Sequence, residues 1–180
     1  MGWSFFLCLK GGELFMAKQT NSINVAGFFR MKIVDHNTDG KTKIVGDSGW
    51  RKNLVTNLGF QHYIIEPMGA LSGSSTVAYF ALGTGTAPAA ADTALLSELG
   101  DAANCRFTMT PTVVSSKTLN MVGTLASNII TANRTIQNVG VFAVSSTGLG
   151  SILCGNTYAT SQLQTNQSVN ITYQLRFATA

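Results

Sequence analysis

Apolar and polar residues alternate along much of this chain, and alternation is the period of a β-strand with one buried face. The pattern is clearest near the carboxyl terminus, where polar residues separate five apolar ones: Val169, Ile171, Tyr173, Leu175 and Phe177. The segment 23–35 alternates in the same way, and the Asp39-Gly40 pair after it is a favoured hairpin turn. A return strand at 41–45, paired with 23–35, is therefore predicted.

Other apolar runs predict further strands. The segment 76–82 is apolar on both faces, which suits a strand between two layers. Four more strands are predicted at 106–114, 118–125, 135–144 and 151–154. In the first of these, Phe107, Met109 and Val113 are expected to share the buried face.

Two stretches depart from the strand pattern. Between 52 and 66 the apolar residues recur at helical spacing and Pro67 follows, so a single helix is predicted there. The stretch 83–100 lacks a period and is predicted to be a long connection, with a short helical turn at 95–99.

The connection 83–100 contains residues with special backbone roles. Three of them are expected to set its path, two through positive φ and one through stiffness: Gly83, Gly85 and Pro88. Asp92 or Thr93 is expected to cap the turn before Leu95 by accepting backbone N–H bonds. The Gly-Thr-Gly-Thr run matches neither of the glycine-rich nucleotide-binding patterns, so no cofactor is predicted.

The sum of these elements predicts the fold class. Eight or so strands and one helix, with turn signals at intervals of roughly 8 to 12 residues, are typical of an all-β protein. We predict an antiparallel β-sandwich of jelly-roll-like form. The chain has 180 residues, 45% of them hydrophobic, so one domain spanning 16–180 is expected.

The segment 1–15 is interpreted as a translated leader. Gly11-Gly12-Glu13 can be encoded by a strong bacterial ribosome-binding sequence just ahead of Met16, so the protein is expected to start at Met16 or Ala17. The alternative, an amphipathic arm that docks on a partner, stays open. The apolar run at 3–9 is shorter than the ~18 residues of a membrane span, and no membrane association is predicted.

Charge and cysteine content narrow the function classes. Charged residues make up only 11% of the chain, and the twelve Lys and Arg are scattered, so nucleic-acid binding is not expected despite the net charge of +4. The three cysteines show no CxxC spacing, so neither a disulfide framework nor a metal site is predicted. A bland, weakly charged surface suits packing against neighbouring proteins.

Three segments resemble a family of small virion proteins and tail-fibre-associated domains of tailed bacteriophages. They are the run from Gly49 to Gly59, the run from Phe80 to Leu95 with Glu98, and the run from Ile136 to Phe142 before the alternating last strand. The residues that carry the resemblance are Gly49, Trp50, Asn53, Gly83, Thr84, Gly85, Pro88, Asp92, Thr93, Leu95, Glu98, Gly140 and Phe142. Asn138 stands where many of the similar proteins have Glu.

The resemblance implies a structural component of the virion rather than an enzyme. Such a component is expected to attach to other virion proteins. The charge content of 11% leaves much of the surface uncharged, which predicts assembly into a homo-oligomer, expected as a trimer or larger ring. The residues predict no catalytic site, because the acids fall in turns and His36 and His62 lie in no catalytic motif. The alternative is a module that binds host-surface glycans, in which aromatic residues would stack on sugar rings: Trp50, Tyr79 and Tyr158.

Overall fold

A computed structural model describes residues 9–10, 13–14, 23–36, 39–100 and 106–179. The predicted start at Met16 lies outside these residues. The strands are β1 (Leu9–Lys10), β2 (Glu13–Leu14), β3 (Ile23–His36), β4 (Thr42–Asp47), β5 (Arg51–Val55), β6 (Tyr79–Gly83), β7 (Arg106–Ser115), β8 (Thr118–Leu125), β9 (Arg134–Phe142), β10 (Cys154–Leu163) and β11 (Gln167–Thr179). One helical segment lies between β5 and β6. It is α-helical at Asn57–Phe60, π-helical at Gln61–Ile65 and α-helical at Glu66–Met68.

The strands form a closed antiparallel barrel. Their order is β11-β8-β7-β6-β9-β10-β5-β3, and β3 pairs with β11 along nearly its whole length, which closes a ring of eight strands. Strand β4 is the hairpin partner of β3 and pairs with its second half, farther along the edge on which β5 pairs with residues 27–29. The predicted all-β class is confirmed, and so is the pairing of 23–35 with its return strand.

The predicted sandwich is wrong, because two strands connect what would otherwise be separate sheets. Strand β5 pairs with β3 through Arg51–Asn53 and with β10 through its last two residues. Strand β7 begins on β6 and continues on β8. A strand that changes partner along its length turns a corner, so the two layers become one closed surface without free edges between them.

The last strand shows how alternation builds the core. On β11, the side chains of Val169, Ile171, Tyr173 and Leu175 are buried inside the barrel, and Phe177 is partly buried against the same core. Burial of each such side chain is worth about 1.5–3 kcal/mol. The prediction for this strand is confirmed, since the polar residues that separate these five are less buried and face outward.

The helix begins later than the helical spacing predicted. Residues 51–55 form β5, and the helix starts only after Thr56, whose hydroxyl accepts the N–H of Gly59 at 2.9 Å and donates to the carbonyl of Ile152 at 2.6 Å. Pairing with β3 and β10 outweighs the local helical pattern of this segment. None of the helices in the described residues is long and apolar enough to cross a membrane.

Three further predictions differ from the structure. No helical turn forms at 95–99; instead Glu98 bridges to Gly83 and the N–H of Leu99 bonds the carbonyl of Leu82, because this stretch lies along the end of β6. The strand predicted at 151–154 corresponds to β10. This strand begins only at Cys154, the last residue of the predicted segment, and is ten residues long. Val113, expected on the buried face, is 73% exposed because β7 extends past the core.

Candidate functional site

A buried amide holds the connection that follows β6. Asn138 on β9 is fully buried, and its Nδ2 donates to the carbonyls of Thr86 at 3.2 Å and Leu96 at 3.0 Å. The two carbonyls lie near opposite ends of the connection, so one side chain fixes its path. A glutamate at this position would have no N–H with which to bond these carbonyls.

Two motif glycines allow this close contact. Neither Gly83 nor Gly85 has a positive φ, so that prediction is wrong. A Cβ at Gly83 would collide with Oδ1 of Asn138, and a Cβ at Gly85 would collide with the carbonyl of Leu96. Glycine is therefore required at both positions because a side chain would not fit, and not because of the backbone conformation. Thr84, between them, donates its N–H to the carbonyl of Ser97 at 3.0 Å.

A buried ion pair joins the same connection to β7. Nε and Nη2 of Arg106 donate to the two carboxylate oxygens of Glu98 at 2.6 and 2.9 Å. Nη1 of Arg106 donates to the carbonyls of Val144 at 3.0 Å and Leu149 at 2.7 Å. The side chains of Arg106 and Glu98 are only 0% and 6% exposed. We call Glu98, Arg106 and Asn138 the loop clamp, since their bonds tie three segments together.

Aromatic and small residues complete the surroundings of the clamp. The guanidinium of Arg106 lies 3.6 Å from the ring centroid of Phe142, a favourable cation–π distance. Phe142 belongs to a small second core with Ala81, Leu95 and Ile152. Gly140 leaves room for this ring, because a Cβ there would lie 2.9 Å from it.

The remaining residues of the connection hold its turns. Asp92 accepts the N–H of Ala89 at 2.8 Å, so it closes the preceding turn. It does not cap the turn before Leu95, contrary to the prediction. The carbonyl of Thr93 accepts the N–H of Ile152 at 3.0 Å. Pro88 packs so close to Gly155 that a Cβ there would lie 2.6 Å from its ring. These motif residues are therefore parts of a scaffold.

A polar cluster inside the barrel contains the motif residue Asn53. Asn53 on β5 is buried with the thiol of Cys154 and the hydroxyl of Tyr173. Burial raises the pKa of Cys154 to about 12. A thiol this hard to ionise is a poor nucleophile or metal ligand, so Cys154 serves as a small core residue.

An exposed aromatic residue lies at the start of the first motif segment. Trp50 is 47% exposed, whereas Tyr158 is buried against Phe29 and Tyr79 is half-buried. Trp50 lines a shallow depression of about 440 Å³ on the outside of β3, β11 and β8. We call this surface the Trp50 face, and it comprises Arg30, Lys32, Trp50, Val122, Thr124, Asn170 and Thr172.

Strand pairing brings the polar part of the Trp50 face together. Asn170 lies between Lys32 and Thr124 in register, and Thr172 lies between Arg30 and Val122. The sequence pattern singles out Trp50 but not the other residues of the face. Alternation in the sequence identifies these residues as outward-facing positions of three strands. It does not show which strands are neighbours.

A second feature of the surface is an apolar pocket. At one end of the barrel, between the helix and β7, lies a pocket of about 290 Å³. We call this end the barrel mouth, and its pocket is lined by Ile64, Pro67, Val77, Pro111, Leu119 and Leu175, among others.

The two histidines make local contacts. Nε2 of His36 lies 2.8 Å from the hydroxyl of Ser168, and Nδ1 of His62 lies 2.7 Å from a carboxylate oxygen of Glu66. The hydrogen bond from Gln61, followed by that of His62, lowers the pKa of Glu66. Within the described ranges, the structure brings no three His, Cys, Asp or Glu side chains together in a way that could hold a metal ion.

Comparison with known proteins leaves the geometry as the guide to function. No protein-family model matches the chain, and neither a curated protein nor a solved structure is significantly similar to it.

Proposed function

We propose that this protein is a non-enzymatic structural component of a tailed-bacteriophage particle, which assembles with copies of itself and attaches to other virion proteins. The observation that carries the proposal is the barrel mouth, where apolar side chains that would normally form a core are left in solvent. The resemblance of the motif segments to phage virion proteins supports the particle as the place of assembly.

The core-facing side of β7 shows how the mouth arises. Phe107 and Met109 are buried, Pro111 lines the pocket, and Val113 on the same face is 73% exposed. Side chains two residues apart on a strand share a face, so the apolar row runs continuously from the core into solvent. Ile23 extends the corresponding row of β3 and is 72% exposed.

The helix adds apolar surface beside the mouth. Met68 at its end is 82% exposed, and Ile65 and Leu71 are also exposed. Their neighbours Ile64 and Pro67 line the pocket, which places this surface at its rim. Contiguous exposed apolar surface is typical of protein interaction sites.

The motif residues support a structural role in a second way. The loop clamp uses its charged and amide groups in bonds that hold the connection, and the guanidinium of Arg106 already has four hydrogen bonds. A scaffold that presents the same surfaces in every copy is what symmetric assembly requires.

Light scattering after size exclusion tests the proposal. The protein at high micromolar concentration is expected to form an oligomer, and both Val113→Asp and Met68→Asp are expected to dissociate it, because a charge would have to be buried at the interface. Leu149→Asp is the matched control. Leu149 is also exposed but lies beside Arg106, at the other end of β7 from Val113.

A monomeric wild-type protein at this concentration would contradict the proposal, as would an oligomer that only Leu149→Asp dissociates. Glycan binding, the alternative function, has a different observation in its favour, which is the exposed Trp50 with polar neighbours.

A further inference from the structure

We infer that the Trp50 face is a binding site for an acidic saccharide, a sugar unit that carries a carboxylate or sulfate group. This goes beyond the proposed assembly role and concerns a different surface of the barrel. The inference rests on three features of the face, which are its exposed aromatic ring, its excess positive charge and its row of uncharged polar groups.

The aromatic ring offers the stacking surface. A pyranose ring has an apolar C–H side and a rim of hydroxyl groups, and the apolar side packs on an exposed indole. Trp50 is held for this contact by the turn before it. Ser48 donates its N–H to the carbonyl of Met31 at 2.9 Å, and its hydroxyl accepts the N–H of Met31 at 2.9 Å.

Glycine completes the turn that presents the ring. Gly49 has φ of +64°, a conformation that residues with a side chain rarely adopt, and its N–H bonds a carboxylate oxygen of Asp47 at 3.0 Å. A Cβ at Gly49 would meet no atom within 4 Å, so backbone conformation alone favours glycine here. The backbone that carries Trp50 is thus held to β3 through Ser48 and to Asp47 through Gly49.

The charge of the face favours an anion. Arg30 and Lys32 supply two positive charges, and Asp47 offsets one of them through bonds to Nε and Nη2 of Arg30 at 2.9 and 2.5 Å. The excess of one positive charge matches one acidic group on a sugar. A nucleic acid would need a longer series of cations to neutralise successive phosphates.

The uncharged polar groups suit hydroxyls. The hydroxyl of Thr124 donates to Oδ1 of Asn170 at 2.8 Å, which leaves the amide N–H groups of Asn170 to donate outward. Thr172 lies two residues along the same strand, on the same side. Because β11 is paired on both sides, with β3 and β8, these donors and acceptors are fixed before a ligand arrives.

Isothermal titration calorimetry with matched oligosaccharides tests the inference. The acidic probes are the tetramer of galacturonic acid and a heparin tetrasaccharide; the neutral probe is the tetramer of galactose, and tetraglutamate offers charge without a sugar. At least one acidic saccharide is expected to bind about tenfold more tightly than either of the other two probes. The galactose tetramer lacks the charge-assisted contact, and tetraglutamate lacks the stacking contact.

Variants locate the site. Trp50→Ala, Lys32→Gln and Asn170→Ala are each expected to weaken binding about tenfold, whereas Lys117→Gln, which removes the same charge from the β7–β8 turn, should change it by less than about twofold. Circular dichroism of each variant checks the fold, and Lys32→Gln and Asn170→Ala keep the test valid if Trp50→Ala disturbs it.

Three results would overturn the inference: no binding of either acidic saccharide, equal binding of the neutral tetramer or of tetraglutamate, or full binding by Trp50→Ala and Lys32→Gln. Light scattering on the same samples keeps this outcome separate from assembly. Sugar binding by a monomer would refute the assembly proposal alone. An oligomer that binds none of the saccharides would refute the saccharide site alone.

Discussion

Two arginine–carboxylate pairs of nearly the same geometry occupy opposite environments in this barrel. In both pairs, Nε and Nη2 of the arginine bond the two oxygens of one carboxylate. The side chains of Arg106 and Glu98 are 0% and 6% exposed, whereas those of Arg30 and Asp47 are 36% and 31% exposed. The same chemistry therefore has different consequences.

The difference shows which polar groups build the fold and which remain available. Burying Arg106 and Glu98 costs solvation, which their mutual attraction, two backbone carbonyls and the ring of Phe142 offset. Water screens Arg30 and Asp47, so their bond adds little stability and can reorganise around a ligand. The buried pair holds the connection, and the exposed pair belongs to a surface.

The largest effect of burial is expected on β11, where neighbouring residues face opposite sides. Ile171→Asp should prevent stable folding, because it places a charge in the core, whereas Thr172→Asp should leave the fold intact. Circular dichroism and the yield of soluble protein check both. Equal effects of the two would mean that the outer face of β11 is also buried, for example between subunits.

The buried pair gives the next effect. Arg106→Leu should lower the free energy of unfolding by about 3–5 kcal/mol, because the charge of Glu98 is left without its partner. Urea denaturation followed by circular dichroism measures the change. A loss below about 1 kcal/mol would place this pair in the same class as exposed ones and would remove the contrast between the two environments.

Asn138 extends the same test to an uncharged group. Asn138→Ala should cost about 1–3 kcal/mol, since the carbonyls of Thr86 and Leu96 both lose a donor. Gln162→Ala on the neighbouring strand removes an exposed amide and should change stability much less. Similar losses in the two variants would show that the buried amide does not fix the connection.

The sequence predicted local features better than closure. Alternation identified β11 and the β3–β4 hairpin, since both depend on residues close in the chain. The helix predicted from residue 52 is wrong over 52–55, which belong to strand β5 because β3 and β10 supply its partners. The barrel itself depends on pairing between β3 and β11, at opposite ends of the chain, which no local pattern shows.

The candidate sites follow the same rule. Trp50 and Glu98 were noticed from the sequence as motif residues, but their surroundings were not. Arg106 becomes the partner of Glu98 only after β7 is placed beside the connection. Lys32 and Asn170 become neighbours only through strand pairing. Residue type predicted candidates, and contacts between distant segments decided their roles.

The smallest effect on stability is expected at the exposed pair of Arg30 and Asp47. Its contribution can be isolated by changing the pH. The hydrogen bonds from Arg30 and then from the backbone N–H of Gly49 lower the pKa of Asp47 to about 2, from an ordinary value of 3.8. A carboxyl whose pKa is lower in the folded state stabilises the fold above its unfolded pKa, and that contribution is lost as pH falls from about 4 to about 2.

Asp47→Asn should therefore lower the midpoint of thermal unfolding by less than about 2 °C at pH 7, because the pair is exposed to solvent. The difference from wild type should shrink in high salt, and near pH 2, where about half of the folded wild-type molecules carry a protonated Asp47, it should be a small part of its value at pH 7. Calorimetry at pH 7, 4 and 2 measures it. A difference that stays constant down to pH 2 would show that the carboxylate acts through the shape of the Ser48–Gly49 turn rather than through its charge, and Asp47 would then belong with the buried clamp as a structural residue.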